Sequence, residues 1–177
     1  MALAFLIVDD DPDVLKAAAL ALGGPQVQVD LAESPADIEA RAAGCDAVLL
    51  DMNFALGARS GDEGLDALGR LKASEPELSV VLMTTFGGVS LAVEALKRGA
   101  EDFVLKPWRN EALEAAMMKA AEATRTRRAE AGLTLGEIER RAIVRVLASS
   151  GGNMTRAAAM LGLTRPALYR RLERHGL

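Results

Sequence analysis

Residues 4–11 read AFLIVDDD, five apolar residues that run directly into three carboxylates. Adjacent like charges repel, and each one raises the free energy of ionising its neighbours. An apolar run of this length is typical of a strand buried inside a parallel sheet. Ligands of open parallel sheets bind in the crevice at the carboxyl ends of the strands, so these acids are expected to line a ligand site.

Four further apolar runs follow the first and alternate with helical patterns. The predicted strands are 3–8, 27–31, 47–51, 79–83 and 102–105. The predicted helices are 12–22, 35–43, 64–73, 88–98 and 109–122. Asp11-Pro12 and Ser34-Pro35 each place a capping residue before a proline at the first helical position. This alternation predicts an α/β fold with a five-stranded, doubly wound parallel sheet.

The charge of the chain divides sharply near residue 122. Residues 1–122 carry 10 Lys/Arg and 21 Asp/Glu, net −11, whereas residues 123–177 carry 11 Arg and 4 Glu, net +7. The asymmetry indicates two domains with different partners, within the range that 177 residues allow. The basic part either faces nucleic acid or presents a solvated helix surface.

The composition also limits where the protein works. The single cysteine, Cys45, excludes an internal disulfide. The apolar runs are shorter than the ~20 residues of a membrane span, and the N-terminus lacks a signal-peptide pattern. We therefore expect a cytoplasmic protein that makes no membrane contact.

The C-terminal stretch predicts a small all-α domain over 134–177, joined to a first domain over 1–122 by residues 123–133. This segment is either a linker or a solvated extension of the fifth helix that stops at Gly132. A capping box at 134–137 opens a helix over 134–149. Its predicted apolar face consists of Ile138, Ala142, Ile143, Val146 and Leu147. Two short helices follow at 154–161 and 165–174, with arginines on the second. This pattern suits a DNA-binding helix-turn-helix, although an ordinary basic helical hairpin shares it. His175, the only histidine, is expected on the surface.

Polar side chains end four of the predicted strands, and they are Asp9 to Asp11, Asp51, Thr84 and Lys106. Asp11 alone is explained as a helix cap, and one acidic pair at a strand end is more often a cap plus a solvated charge. Four strand ends that converge on one pocket favour a functional site instead. A divalent cation would relieve the repulsion, and Mg²⁺ takes oxygen ligands with only one or two carboxylates.

Four segments resemble, in the right order, the receiver domain of bacterial two-component response regulators, which has a flavodoxin-like fold. They are IVDDD (7–11), VLLDMN (48–53), VLMTTFG (81–87) and GAEDFVLKP (99–107). The resemblance implies that Asp51 accepts a phosphoryl group from the phosphohistidine of a sensor histidine kinase, with Mg²⁺ as cofactor. The implied metal ligands are Asp10 and Asp51 directly, Asp9 through water, and the main-chain carbonyl of Asn53.

The same resemblance assigns roles around the acceptor. Lys106 pairs with the phosphoryl oxygens, and its peptide bond to Pro107 is cis. Thr84 hydrogen-bonds the phosphoryl group and Phe103 turns inward behind it, so that the two form a switch. Catalysis of this kind consists of positioning and charge neutralisation.

Residues 134–177 resemble the Fis-type DNA-binding domain that ends NtrC-like activators, through the stretch 151–177. The resemblance implies a homodimer on double-stranded DNA. The implied DNA-contacting residues are Thr164, Arg165, Ala167, Tyr169, Arg170 and Arg171. NtrC-like activators place an AAA+ ATPase between the two domains, whereas here only the linker separates them. The chain also lacks the G-x-x-x-x-G-K-[ST] loop that cradles nucleotide phosphates.

These features predict a regulator of transcription controlled by phosphorylation, which is not an enzyme beyond assisting its own phosphorylation and dephosphorylation. The alternative is a phosphate sink or protein-interaction module whose helical tail only dimerises. An independent Mg²⁺-dependent phosphatase is disfavoured, because Asp51 is better explained as an acceptor. Salt-dependent DNA binding separates the first two hypotheses.

Overall fold

A computed structural model describes residues 2–54, 62–85 and 89–177, apart from the side chains of residues 89 and 90. The chain forms two compact units, Met1–Arg128 and Ala129–Leu177. Each unit is described separately below.

The first unit contains one five-stranded sheet. Its strands are β1 (Leu3–Val8), β2 (Val27–Ala32), β3 (Ala47–Asp51), β4 (Ser79–Thr85) and β5 (Asp102–Lys106). All neighbouring strands are parallel, and their order is β2-β1-β3-β4-β5. This confirms the predicted doubly wound sheet. The order reverses at β1, which places the ligand-binding crevice at the carboxyl ends of β1 and β3.

Helices cover both faces of this sheet. They are α1 (Pro12–Leu22), α2 (Ile38–Ala42), α3 (Asp62–Ser74), α4 (Val89–Lys97) and α5 (Asn110–Ala131). Successive strand residues point to opposite faces. Leu6 and Leu50 therefore pack with α2, α3 and α4, whereas Phe5 and Leu49 pack with α1 and α5. The two hydrophobic layers hold the strand ends in fixed positions.

One of the two predicted helix caps is correct and the other is wrong. Asp11 caps α1, and its Oδ1 accepts a hydrogen bond from the N–H of Asp13 at 2.8 Å. Ser34 does not cap α2, which begins at Ile38. The Ser34 hydroxyl instead accepts a hydrogen bond from the N–H of Ala36 at 3.3 Å, two residues on. Such a bond forms a local turn rather than a helix start.

Helix α5 continues to Ala131, nine residues past residue 122, so the helical alternative for the linker is correct. Thr124, inside this extension, is fully buried. Its Oγ1 accepts a hydrogen bond from the N–H of Ser79 at 2.8 Å and donates one to the carbonyl of Ala120 at 3.1 Å. The extension therefore packs against the start of β4.

Three arginines of the extension bond to the amino-terminal edge of the sheet, and we call Arg125, Arg127 and Arg128 the α5 arginine cluster. Their side-chain partners are Asp46, Ser79, Glu101 and Glu75. Arg125 Nε donates to Asp46 Oδ1 at 2.8 Å. Arg128 Nη1 donates to the carbonyl of Cys45 at 2.9 Å. Three of the eleven C-terminal arginines thus belong to the first unit, which leaves eight Arg and four Glu, net +4, in residues 129–177.

Asp46 makes this cluster sensitive to acid. Burial acts to raise the pKa of its carboxyl, but hydrogen bonds from Arg125 and from the N–H of Ala4 outweigh burial and hold that pKa below its usual value. Because the folded-state pKa lies below the unfolded one, the stabilisation is present above about pH 4 and is lost as the pH falls through the folded-state pKa.

We therefore expect Asp46→Asn to lower the free energy of unfolding by about 1–2 kcal/mol near neutral pH, since hydrogen bonds to charged groups contribute about 1.5–3 kcal/mol and solvent partly screens the exposed Arg125. Urea unfolding at about pH 6 and about pH 2.5 measures the difference, which should shrink at the lower pH. The control is Glu94→Gln, which breaks the exposed pair with Arg98 and should cost at most about 0.5 kcal/mol. An equal loss at both pH values in Asp46→Asn would contradict the assignment.

The second unit consists of three helices, α6 (Leu135–Ser149), α7 (Met154–Met160) and α8 (Arg165–His175). Thr134 and Glu137 form the predicted capping box, and Asn153 and Thr164 cap α7 and α8. The small core has four buried residues, Ile143, Ala157, Ala158 and Leu168. Among the described residues, no helix combines the length and the apolar character needed to cross a bilayer.

Candidate functional site

Three of the predicted site residues meet at the carboxyl edge of the sheet. Asp9 follows β1, Asp51 ends β3 and Lys106 ends β5. Lys106 Nζ donates to Asp51 Oδ1 at 2.7 Å and also bonds to Asp9 Oδ2. One ammonium therefore bridges two carboxylates from different strands, and we call these three residues with Thr84 the acidic pocket.

Burial sets the charge of this pocket. The side chains of Asp9 and Asp51 are almost completely buried, and that of Lys106 is 16 % exposed. Burial raises the pKa of Asp9 and outweighs the opposing bonds from Lys106 and from the N–H of Asp11. Burial acts to lower the pKa of Lys106, but its bonds to Asp51 and Asp9 outweigh burial and hold that pKa above its usual value. The ammonium is thus held firmly in its charged form.

The remaining predicted pocket residues lie on β4 and β5 or just after β3 and β5. Thr84 is buried, and its hydroxyl donates to the carbonyl of Thr85 at 3.3 Å. The N–H of Asn53 donates to Asp51 Oδ2 at 2.8 Å. Phe103 is half-buried against the hydrophobic layer that contains α2, α3 and α4. The peptide bond between Lys106 and Pro107 is cis, as the resemblance implies.

The chemistry of the donors fits a magnesium ion. Asp9 and Asp51 bond to the same ammonium, so their carboxylates lie close enough to share a cation. Asp10, the third predicted acid, is exposed beside them. Across residues 2–54, 62–85 and 89–177, no three acidic, histidine or cysteine side chains lie together as a metal cage. Mg²⁺ commonly takes only one or two carboxylates and completes its shell with water, so this arrangement is compatible with it.

The second unit presents four of the six predicted DNA-contacting residues to solvent. Thr164, Arg165, Tyr169 and Arg170 are exposed on α8 or at its cap. The Arg165 guanidinium lies over the Tyr169 ring, 5.7 Å from the centroid. Ala167 is half-buried.

Arg171 is turned toward the protein instead. Its Nε donates to Glu139 Oε1 of α6 at 2.5 Å, and His175 Nε2 lies 2.8 Å from Glu139 Oε2. Hydrogen bonds from His175 and Arg171 hold the pKa of Glu139 below its usual value. The expectation that His175 is a surface residue is wrong, because its side chain is only 11 % exposed. These hydrogen bonds connect α8 to α6.

The predicted apolar face of α6 divides in two. Ile143, Val146 and Leu147 pack inward with α7 and α8. Ile138 and Ala142 instead line a surface groove of about 330 Å³ with Leu133, Glu130, Arg141 and Arg145. Nearly half of the Ile138 surface is exposed, and Leu135 beside it is 86 % exposed. The outward part of this face is therefore an exposed apolar surface.

Two family patterns match the chain. Residues 5–118 match the response regulator receiver domain, and residues 134–175 match the bacterial regulatory protein, Fis family. The 15 residues between the two matches leave no room there for an AAA+ ATPase.

Relatives and solved structures agree with this division. FleR of Pseudomonas aeruginosa is 39 % identical over 116 residues, 64 % of this chain and 23 % of FleR. NtrX of Azorhizobium caulinodans is 35 % identical over 130 residues, 72 % of this chain and 28 % of NtrX. The chain therefore spans about a quarter of the length of these relatives.

Two solved structures are similar in fold. The receiver domain of a response regulator from Bacteroides fragilis has a TM-score of 0.60 at 36 % identity, and the match covers 68 % of this chain and 98 % of that one. NtrX from Brucella abortus has a TM-score of 0.65 at 30 % identity, over 82 % and 34 % of the two chains. The chain belongs to the response regulator receiver domain family, and a Fis-type helix-turn-helix unit follows its receiver.

Proposed function

We propose that this chain is a cytoplasmic transcription regulator that a sensor histidine kinase controls by phosphorylating Asp51. The main support for the proposal is that Lys106 bonds to both Asp51 and Asp9. The same chain also presents exposed arginines on a helix of a Fis-type unit. The first unit receives the signal and the second binds double-stranded DNA.

Asp51 is suited to accept a phosphoryl group. A carboxylate oxygen of Asp51 attacks the phosphorus of the phosphohistidine, an O–P bond forms, and the P–N bond to the imidazole breaks. Lys106 already contacts Asp51 Oδ1, so its ammonium is in place to neutralise phosphoryl oxygens. A Mg²⁺ ion, held by Asp10 and Asp51 directly, by Asp9 through water and by the Asn53 carbonyl, would supply further positive charge.

The pocket also contains the elements of a switch. The hydroxyl of Thr84 makes a long bond of 3.3 Å to a main-chain carbonyl, which it can exchange for a bond to a phosphoryl oxygen. Phe103 is half-buried, and in the proposed switch its ring moves inward behind Thr84. Phosphorylation then shifts the population toward the inward state and remodels the surface made by α4, β5 and α5. Hydrolysis of the Asp51 acyl phosphate, assisted by the receiver itself, resets the switch.

The second unit is proposed to act as a homodimer. About 45 residues bury little core alone, and the groove beside Ile138 and Ala142 leaves apolar surface for a second copy to cover. A two-fold dimer places two α8 helices on half-sites about one helical turn of DNA apart. The contacts come from Thr164, Arg165, Ala167, Tyr169 and Arg170. Arg171, which is bonded to Glu139, contributes mainly by orienting α8.

The experiment that tests this proposal measures DNA binding against salt, with and without beryllofluoride as a stable phosphoryl mimic. Four phosphate contacts per dimer would lower affinity roughly 100-fold between 50 and 200 mM salt. We expect this dependence in both states and tighter binding in the beryllofluoride state. The pairing of Arg171 and Arg174 with Glu139 favours the alternative, a phosphate sink whose tail only dimerises. Self-association without salt-dependent DNA binding would establish that alternative.

A further inference from the structure

We propose that Tyr169 is a positioning residue for DNA recognition, which holds the Arg165 side chain in the conformation that reads guanine. The inference rests on the proposed DNA binding. In this role Tyr169 sets base preference indirectly, through the side chain of Arg165.

The two side chains form one exposed unit at the start of α8. Residues four apart on a helix are neighbours on its surface. The Arg165 guanidinium carbon lies 5.7 Å from the centroid of the Tyr169 ring, within the range of a cation–π contact. Arg165 Nη2 is also 3.4 Å from the Tyr169 hydroxyl, as a weak hydrogen-bond donor. The ring therefore contacts the guanidinium at its face and at its edge.

The other arginines of α8 have different surroundings. Arg171 and Arg174 are directed toward Glu139 on α6. Arg170 is exposed, and within the part of the chain that the structure describes its side chain has no recorded ion pair. Arg165 is exposed, and the side chain that fixes its direction is an aromatic ring rather than a carboxylate of α6. It is also the first residue of α8, and the first turn of a recognition helix is the part that contacts base edges.

Holding the Arg165 side chain in one conformation before DNA binds should affect the preference for guanine more than the total affinity for DNA. Arginine reads guanine through two parallel hydrogen bonds to O6 and N7, which require one orientation of the guanidinium. A free arginine loses rotamer entropy when it adopts that orientation. A cation–π contact at an exposed site corresponds to about a two- to fivefold preference for the held conformation. Loss of Tyr169 should lower guanine discrimination by about this factor.

The test uses the full chain and DNA sequences selected in vitro from a random pool. Arg165→Ala first identifies the base pair at which guanine preference depends on Arg165. Tyr169→Leu, which keeps apolar bulk but removes the aromatic face, should reduce discrimination at that base pair about two- to fivefold. Tyr169→Phe keeps the face and should restore most of it. In an Arg165→Ala background, Tyr169→Leu should have no further effect at that position.

Each outcome either supports or overturns the inference. If Tyr169→Leu still lowers discrimination at that base pair in the Arg165→Ala background, Tyr169 reads the base pair without Arg165 and the positioning role is wrong. If Tyr169→Leu weakens binding equally for every sequence, or leaves the preference intact, the role is also wrong while DNA binding stands. If the wild-type chain selects no sequence at all, the proposed function fails together with the inference.

Discussion

Replacing Asp51 with asparagine is expected to reduce phosphorylation of the chain to background. The amide is a poor nucleophile, and it cannot form the acyl phosphate that the carboxylate forms. The measurement is the intact mass after incubation with phosphoramidate and Mg²⁺, read as the gain of one phosphoryl group. The wild-type chain should show that gain, and its DNA affinity should change in parallel.

The matched control for this variant is Asp66→Asn. Asp66 lies on α3, its side chain is 75 % exposed, and it pairs with Arg70 outside the acidic pocket. The control should be phosphorylated like the wild-type chain. Full phosphorylation of the Asp51→Asn variant, located by peptide mapping on Asp9 or Asp10, would show that the acceptor has been misassigned.

Replacing Lys106 with methionine is expected to destabilise the first unit more than any other single removal of a cation. One ammonium contacts two buried carboxylates, and its loss leaves both without that charge partner. Breaking a buried pair by removing one partner costs about 3–5 kcal/mol, and the partial exposure of Lys106 places the expected loss near the lower end. Urea unfolding at neutral pH measures this loss.

The pH dependence of this loss distinguishes electrostatics from packing. Burial already raises the pKa of Asp9, and removal of Lys106 raises it further. An acid whose folded-state pKa is raised binds its proton more tightly in the folded state, so stability falls as the pH rises from the unfolded-state pKa to the folded-state pKa. The deficit of the Lys106→Met variant should therefore shrink toward about pH 4.

Lys119→Met is the matched control for the Lys106 variant. Lys119 pairs with Asp102 at 3.3 Å, and both side chains are substantially exposed. Exposed pairs of this kind contribute about 0–1 kcal/mol. Similar losses in the two variants, or a deficit in Lys106→Met that does not change with pH, would contradict the charge-bridge interpretation.

The sheet and the acidic pocket could be predicted from local sequence because their determinants are local. Each strand is a short apolar run, and the pocket residues sit where those runs stop. β1 and β3 have the predicted bounds, and parallel order brings Asp9, Asp51 and Lys106 to one edge without further information. The wrong start of α2 has a local cause as well, since Ser34 followed by proline suits a turn as well as a helix cap.

Other features depend on partners that are distant in the sequence. Arg125 meets Asp46 across 79 residues, and Arg171 meets Glu139 across 32. Charge counting cannot tell an arginine that binds its own protein from one that faces DNA. The α5 extension is a local feature that the sequence does offer as an alternative to a linker, because residues 123–131 are mostly strong helix formers and contain no glycine or proline. Its solvated character is the part that is wrong, since Thr124 is buried.

The contacts of α5 with the sheet decide where this receiver can be separated from its output module. The receiver family pattern ends at residue 118, six residues before Thr124. A junction placed at residue 118 would remove the hydroxyl that accepts the Ser79 N–H and the guanidinium groups that pair with Asp46 and Glu101. The segment that folds as one body is longer than the segment that the family pattern recognises. In a chimera that exchanges output modules, the fusion point for this receiver lies after Arg128.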